Sequence, residues 1–182
     1  DALTTTGMTA SKFNQFMINT LTTAGSIKHN FIFDNNTNTD YARRRSYNGA
    51  SDSTDTSQAQ IEYLGDAADD RFEIVYSSNI SAVEKLNIHF VIARSTAGAG
   101  TAPNRAEAVS KTDTTTNSGQ YTRVDCLNTD GGGDYDTSSN LSILGSDLTP
   151  AAAISLTVQD GAVFYETDTN KSYVLYNDTW SE

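Results

Sequence analysis

The sequence predicts an all-β chain of antiparallel strands, a sandwich, jelly roll or barrel, with a short N-terminal helix and a C-terminal β-hairpin. Three observations predict it. Residues 71–94, RFEIVYSSNISAVEKLNIHFVIAR, alternate apolar and polar with a period of two, first at Phe72, Ile74 and Tyr76, then at Leu86, Ile88, Phe90 and Ile92. Such alternation sets each series on one face of a pleated strand, and the polar joint between them makes the two strands antiparallel neighbours. Other runs of strand character follow at short spacing, seven or eight in all, divided by Asn-, Asp-, Gly- and Ser-rich joints. Finally, the polarity of the 182 residues comes from Thr, Ser, Asn and Asp rather than from charge. Nine Tyr and seven Phe are spread through the alternating runs, enough to build a core.

Along the chain, Phe13, Phe16, Met17 and Leu21 fall at i, i+3, i+4 and i+8, the stripe of an amphipathic helix, with Thr9 or Ser11 to cap its start and Gly25 its end. A helix this short needs a surface to dock on. It either closes the sandwich or grips a partner subunit. Strands are expected over 27–34, 41–47, 58–64, 71–76, 86–94, 121–127 and 141–144, the central pair being joined by SSNISAVEK. Between them lie the turns DNNTNTD and NGASDSTDTS and a long Gly/Ala/Pro loop after Arg94. From Pro150 the character changes. A small apolar stretch leads to GAVFYETDTNKSYVLYNDTW, a hairpin with strands over 162–167 and 172–176 and then Trp180. Three parts result: an arm over 1–25, a β-sandwich domain over 26–148, and a linker with aromatic hairpin over 149–182.

Composition narrows function. A formal charge of −11 argues against broad contact with nucleic-acid backbone, and Arg43-Arg44-Arg45 is too short a cluster to reverse it. No run of about 18 apolar residues marks a membrane span. Asp1 stands where a start methionine would, as in a processed chain. The single cysteine, Cys126, leaves no internal disulfide and reads as a small buried hydrophobe. His29 and His89 both lie in strand runs, and no Gly-flanked nucleophile of the GxSxG kind occurs, so no enzyme is read and no catalytic residue assigned.

Asp34, Asn36, Asn38 and Asp40 carry the opening spacing of a calcium loop, but Thr39 stands where the sharp turn needs Gly and Arg45 where a bidentate Glu is needed. An irregular structural calcium site there, or at Asp130, Asp134 and Asp136, competes with the plainer reading of Asx turns. No other cofactor is expected. Tyr41, Tyr47, Tyr63 and Trp180 are candidates to stack on sugar rings. Exposed aromatics equally mark subunit interfaces. For these the candidates are Phe13, Phe16 and Met17 from the helix and Tyr173, Tyr176 and Trp180 from the hairpin.

Three segments, RRRSYNGASDSTDTSQ, FEIVYSSNISAVEKLNIHFVIARSTAGAGTAPNRAEAVSK and VDCLNTDGGGDYDTSSNLSILGSD, occur in one order over residues 43–147. Together they resemble virion structural proteins of tailed bacteriophages, especially marine phages. The C-terminal hairpin is similar to Tyr-rich units of phage fibre and appendage proteins. The resemblance implies a jelly-roll-like sandwich at the virion surface, in symmetric assemblies, without catalytic residues. It leads to the expectation of a capsid decoration subunit contacting copies of itself and the major capsid protein. The alternative is a tail or head fibre domain binding host-surface glycan, and the third reading is a subunit of a cell-surface filament.

Overall fold

The computed structural model describes the chain except residues 24, 63–67, 95, 114–117, 130–131, 148–160, 178 and 182, and the side chains of 176 and 180. Fourteen strands follow one another: β1 (Ala2–Thr5), β2 (Phe13–Thr20), β3 (His29–Phe33), β4 (Tyr41–Tyr47), β5 (Ser53–Gln58), β6 (Ile61–Glu62), β7 (Arg71–Ser78), β8 (Lys85–Ala93), β9 (Asn104–Thr112), β10 (Val124–Asn128), β11 (Asn140–Ser146), β12 (Val163–Glu166), β13 (Lys171–Tyr176) and β14 (Thr179–Ser181). All named pairs are antiparallel, and no helix occurs among the described residues. The chain is all-β.

It divides into two units, Asp1–Asp147 and Leu148–Glu182. In the first, a four-stranded sheet runs β1-β10-β3-β6 and a seven-stranded sheet runs β11-β2-β7-β8-β9-β4-β5. Side chains of the two sheets meet in an aromatic centre. Phe16 from β2 lies edge-on to Phe31 from β3, with ring centroids 5.7 Å apart, and Phe33 stacks on Tyr121 at 4.0 Å. Ile18, Val75, Val91, Val124 and Cys126 fill the remainder of this core, and each such side chain contributes about 1.5–3 kcal/mol on burial. Asn79 ties the edge of the core to a loop. Its side chain accepts from Tyr121 N (2.7 Å) and donates to Tyr121 O (3.2 Å) and Ser11 O (3.0 Å).

The expected N-terminal helix is a strand. Residues 13–20 carry a helical stripe, but Asn14, Phe16, Ile18 and Thr20 also alternate, and these are the buried ones. β2 bonds to β7 along one edge and β11 along the other, so every residue from Phe13 to Thr20 has a partner on the β7 side. Two ladders outweigh a local period. Residues 1–25 are therefore no separate arm: β1 pairs with β10, and β2 is the second strand of the large sheet. Gly25, expected to end the helix, instead turns the chain at φ 78° against the backbone of Gly132. The NGASDSTDTS turn is shorter than expected, since β5 forms from its second half. A strand over 104–112, absent from the expectation, pairs with both β8 and β4.

In the second unit the expected hairpin, β12 with β13, gains a third strand and forms a sheet in the order β12-β13-β14. Asn170 turns it at φ 57°, and its Oδ1 accepts from the Tyr165 hydroxyl at 2.8 Å.

Candidate functional site

The large sheet has two unlike faces, and their polarity is the reverse of the usual arrangement. Along β8 the inward residues are Lys85, Asn87, His89, Val91 and Ala93, all buried. The outward ones are Leu86, Ile88, Phe90 and Ile92, each about half exposed. β7 repeats the pattern: Arg71, Glu73, Val75 and Ser77 point in, while Phe72 (44% exposed) and Tyr76 (46%) point out. Residues directly opposite on paired strands share a face, so the register aligns these side chains in rows. One row runs Leu144, Gln15, Tyr76, Ile88, Val109 and Arg44, and the next runs Met17, Ile74, Phe90 and Glu107. The outcome is a continuous apolar surface centred on β7 and β8.

Toward β4 and β5 this surface deepens into an open groove of about 570 Å³. Leu86, Ile88, Val109 and Ala42 form its floor, with Arg44, Lys111, Thr54 and Thr56 beside them. The cations have partners. Lys111 Nζ lies 2.8 Å from Glu84, and Arg44 lies 3.4 Å from Asp52. The groove therefore presents apolar area and neutralised charge.

Beneath it, a group of inward polar residues bond one another. Glu73 Oε1 lies 3.2 Å from His89 Nδ1, and His89 Nε2 lies 3.0 Å from Ser110 Oγ, which also accepts from Asn87 Nδ2 at 3.1 Å. His29 Nε2 approaches Glu73 Oε2 at 3.6 Å from the other sheet. Burial pushes the Glu73 carboxyl up to about 8, against the opposing pull of the Arg71 cation. Burial, with Arg71 beside it, pushes His29 down to about 3, and burial likewise depresses His89. Near neutral pH the three are uncharged, with the Glu73 hydroxyl donating to His89 Nδ1 and His89 Nε2–H donating to Ser110. This network is sealed from solvent: both histidines and Glu73 are at most 3% exposed. It holds the core together where aliphatic residues would otherwise stand.

The residues singled out from sequence scatter. Phe16 is fully buried in the core and is not a contact residue, while Phe13 (42% exposed) and half-buried Met17 lie on the apolar outer face. Tyr41 is 1% exposed and is not a sugar platform. Its hydroxyl accepts from Phe33 N and donates to Asn36 O, fixing the loop after β3, and burial raises its pKa to about 12. Tyr47 is exposed at the end of β4. Tyr63 and Asp130 lie outside the described residues, as do the side chains of Tyr176 and Trp180. Tyr173 is half-buried beside Phe164, at 6.2 Å between ring centroids.

The described calcium candidates take part in hydrogen bonds, some within turns and some to distant strands. Asp34 Oδ1 accepts from the amides of Thr122 and Arg123, Asn36 donates to Asp40, and Asn38 N donates to Asn36. Asp136 accepts from Ser138 N, and the carbonyl of Asp134 accepts from Thr23. Among the described residues no three His, Cys, Asp or Glu side chains gather as a metal-binding group.

Sequence reasoning missed the exposed face because it took the central pair as a support for functional ends and loops. A signal was present. Once β7 and β8 are paired, Glu73 and His89 are diagonal neighbours on one face, a charge-compatible set able to go inside together. Searches of protein-family models, of curated proteins and of solved structures return no match.

Proposed function

We propose that this chain is a non-enzymatic structural protein of a bacteriophage virion surface, a capsid decoration subunit that works by burying apolar surface against its neighbours. Its first unit, on this reading, is a jelly-roll-like β-sandwich. The observation that carries the proposal is the outer face of the large sheet, where Phe72, Tyr76, Leu86, Ile88, Phe90 and Ile92 stand about half exposed side by side. A face of this kind marks a contact surface. The acidic balance of −11 supports the rest of the surface facing solvent on a crowded particle. The ordered phage-like segments over 43–147 supply the virion context, and they include the strands that build this face.

Quantitative mass spectrometry of purified virions tests the reading. A decoration subunit is present in hundreds of copies per particle and lies over the capsid lattice in a reconstruction. A tail-like copy number, or absence from the particle, overturns it.

The groove favours one second reading, a fibre domain that binds host-surface glycan. Arg44, Thr54 and Thr56 offer hydroxyl-reading groups beside an apolar floor. A selective glycan-array signal lost in Arg44→Ala supports that reading, and a blank array removes it.

A further inference from the structure

Resting on that reading, we propose that the apolar outer face of the seven-stranded sheet is covered by the same face of a second copy, making a two-fold face-to-face dimer. The amount of surface is the first argument. Phe72, Tyr76, Leu86, Ile88, Phe90, Ile92 and Val109 are between 44% and 56% exposed. Aromatic side chains carry on the order of 150–250 Å² and the aliphatic ones less, so together these leave roughly 600 Å² bare on each copy. That stands at the top of the roughly 300–600 Å² of the largest patch on an ordinary monomer. Two such faces bury about 1,200 Å², enough to reach the roughly 1,200–2,000 Å² of a standard stable interface.

Placement is the second argument. β8 is the middle strand of the seven, with three strands on either side, so the apolar rows lie at the centre of the sheet rather than at an edge. A self-complementary patch at the centre is what an isologous contact requires, because each residue near the axis then meets its own counterpart.

Charge is the third. Two copies each carrying −11 repel over most orientations. On the outer face the charged strand residues are Arg44, Arg105 and Lys111 against Glu107, so the acidic excess is absent there. Lys111 and Arg44 are already paired within the copy, and Arg105 lies 3.4 Å from Glu107. Approach along this face brings together apolar area and balanced charge. It is the orientation in which like-charge repulsion is least.

Sedimentation equilibrium of the full chain tests the pairing. Wild type runs as a dimer of twice 19.6 kDa at micromolar concentration. Ile88→Glu, which replaces an exposed side chain at the patch centre, weakens self-association at least ~100-fold with unchanged circular dichroism. Ser81→Glu, on an exposed turn, leaves it unchanged. Under mild oxidation a Tyr76→Cys variant cross-links to itself, while buried Cys126 stays reduced. A wild-type monomer at 100 µM overturns the pairing, and so does an Ile88→Glu dimer as tight as wild type, which would place the contact elsewhere on the chain. A monomer that still coats capsids sinks the dimer and leaves the decoration role standing. A dimer absent from virions does the opposite.

Discussion

Ile88 and His89 are consecutive in the chain, and the histidine is the buried one: Ile88 is 48% exposed, His89 fully enclosed. The histidine is tolerated inside because Glu73 and Ser110 meet its two ring nitrogens. The isoleucine is free to face outward because the aromatic centre around Phe16, Phe31 and Phe33 already fills the core.

Substitutions on the two faces of the large sheet should therefore differ sharply. Phe16→Ala empties a fully buried site and is expected to cost about 3–5 kcal/mol in urea unfolding. In the monomeric Ile88→Glu background, Phe72→Ala, on the exposed face, is expected to cost under about 1 kcal/mol. Equal costs would mean that the outer face is an interior within the monomer.

Ser110→Ala removes the hydroxyl that serves both Asn87 and His89. Two buried donors lose that partner, and destabilisation of about 1–3 kcal/mol is expected. A double-mutant cycle with Asn87→Ala should show coupling between the two sites, and strict additivity would argue that they do not act as one network.

The same network predicts a stability optimum near pH 6.5. Glu73 is raised from 4.5 to about 8, so the folded chain holds a proton that the unfolded chain releases, and stability falls as pH rises from about 4.5 to 8. His29 is depressed from 6.5 to about 3, and His89 is lowered as well, so the unfolded chain binds protons that the folded chain refuses. Stability falls as pH drops below 6.5. Between 4.5 and 6.5 the two histidines outweigh the single carboxyl. Urea midpoints at pH 5, 6.5 and 8.5 check this, and Glu73→Gln should flatten the alkaline limb.

Gly25→Ala should be severe. The added methyl would overlap the Gly132 carbonyl oxygen at a residue with φ 78°. Strain from the positive φ alone is on the order of 1–3 kcal/mol, and the clash with backbone adds to it. An unchanged melting temperature would rule out this close approach.

Removal of residues 1–24 deletes β1 and β2, the strand that joins β11 to β7. Loss of the β-type circular dichroism signal is expected. A truncated chain that keeps its signal would favour a dispensable arm.

The sequence made strands legible wherever alternation and turn residues agreed, as in β4, β7 and β8. It misled at Phe13–Thr20, where Phe16 belongs to a helical stripe and to a strand alternation at once, and only distant β7 and β11 decide between them. It offered only the Glu73–His89 diagonal as a sign of which face of β8 turns inward, because that choice depends on His29 and Phe31 of a strand more than fifty residues earlier. The aromatic candidates failed for a related reason. Tyr41 and Tyr47 share a strand, yet one anchors a loop and the other meets solvent.

The partners of the first two strands lie near the far end of the first unit. Thr4 bonds Asp125, 121 positions away, and β2 needs Asn140–Ser146. At a synthesis rate of about 5–20 residues per second, β2 leaves the ribosome roughly 6–24 seconds before its outer neighbour exists. Through that interval the outer edge of β2 stays unpaired, and a topology so dependent on distant pairing also closes slowly. Production in cells should thus respond more to holdase chaperones and lowered temperature than to any surface substitution. The finished sheet is a late event in the life of the chain.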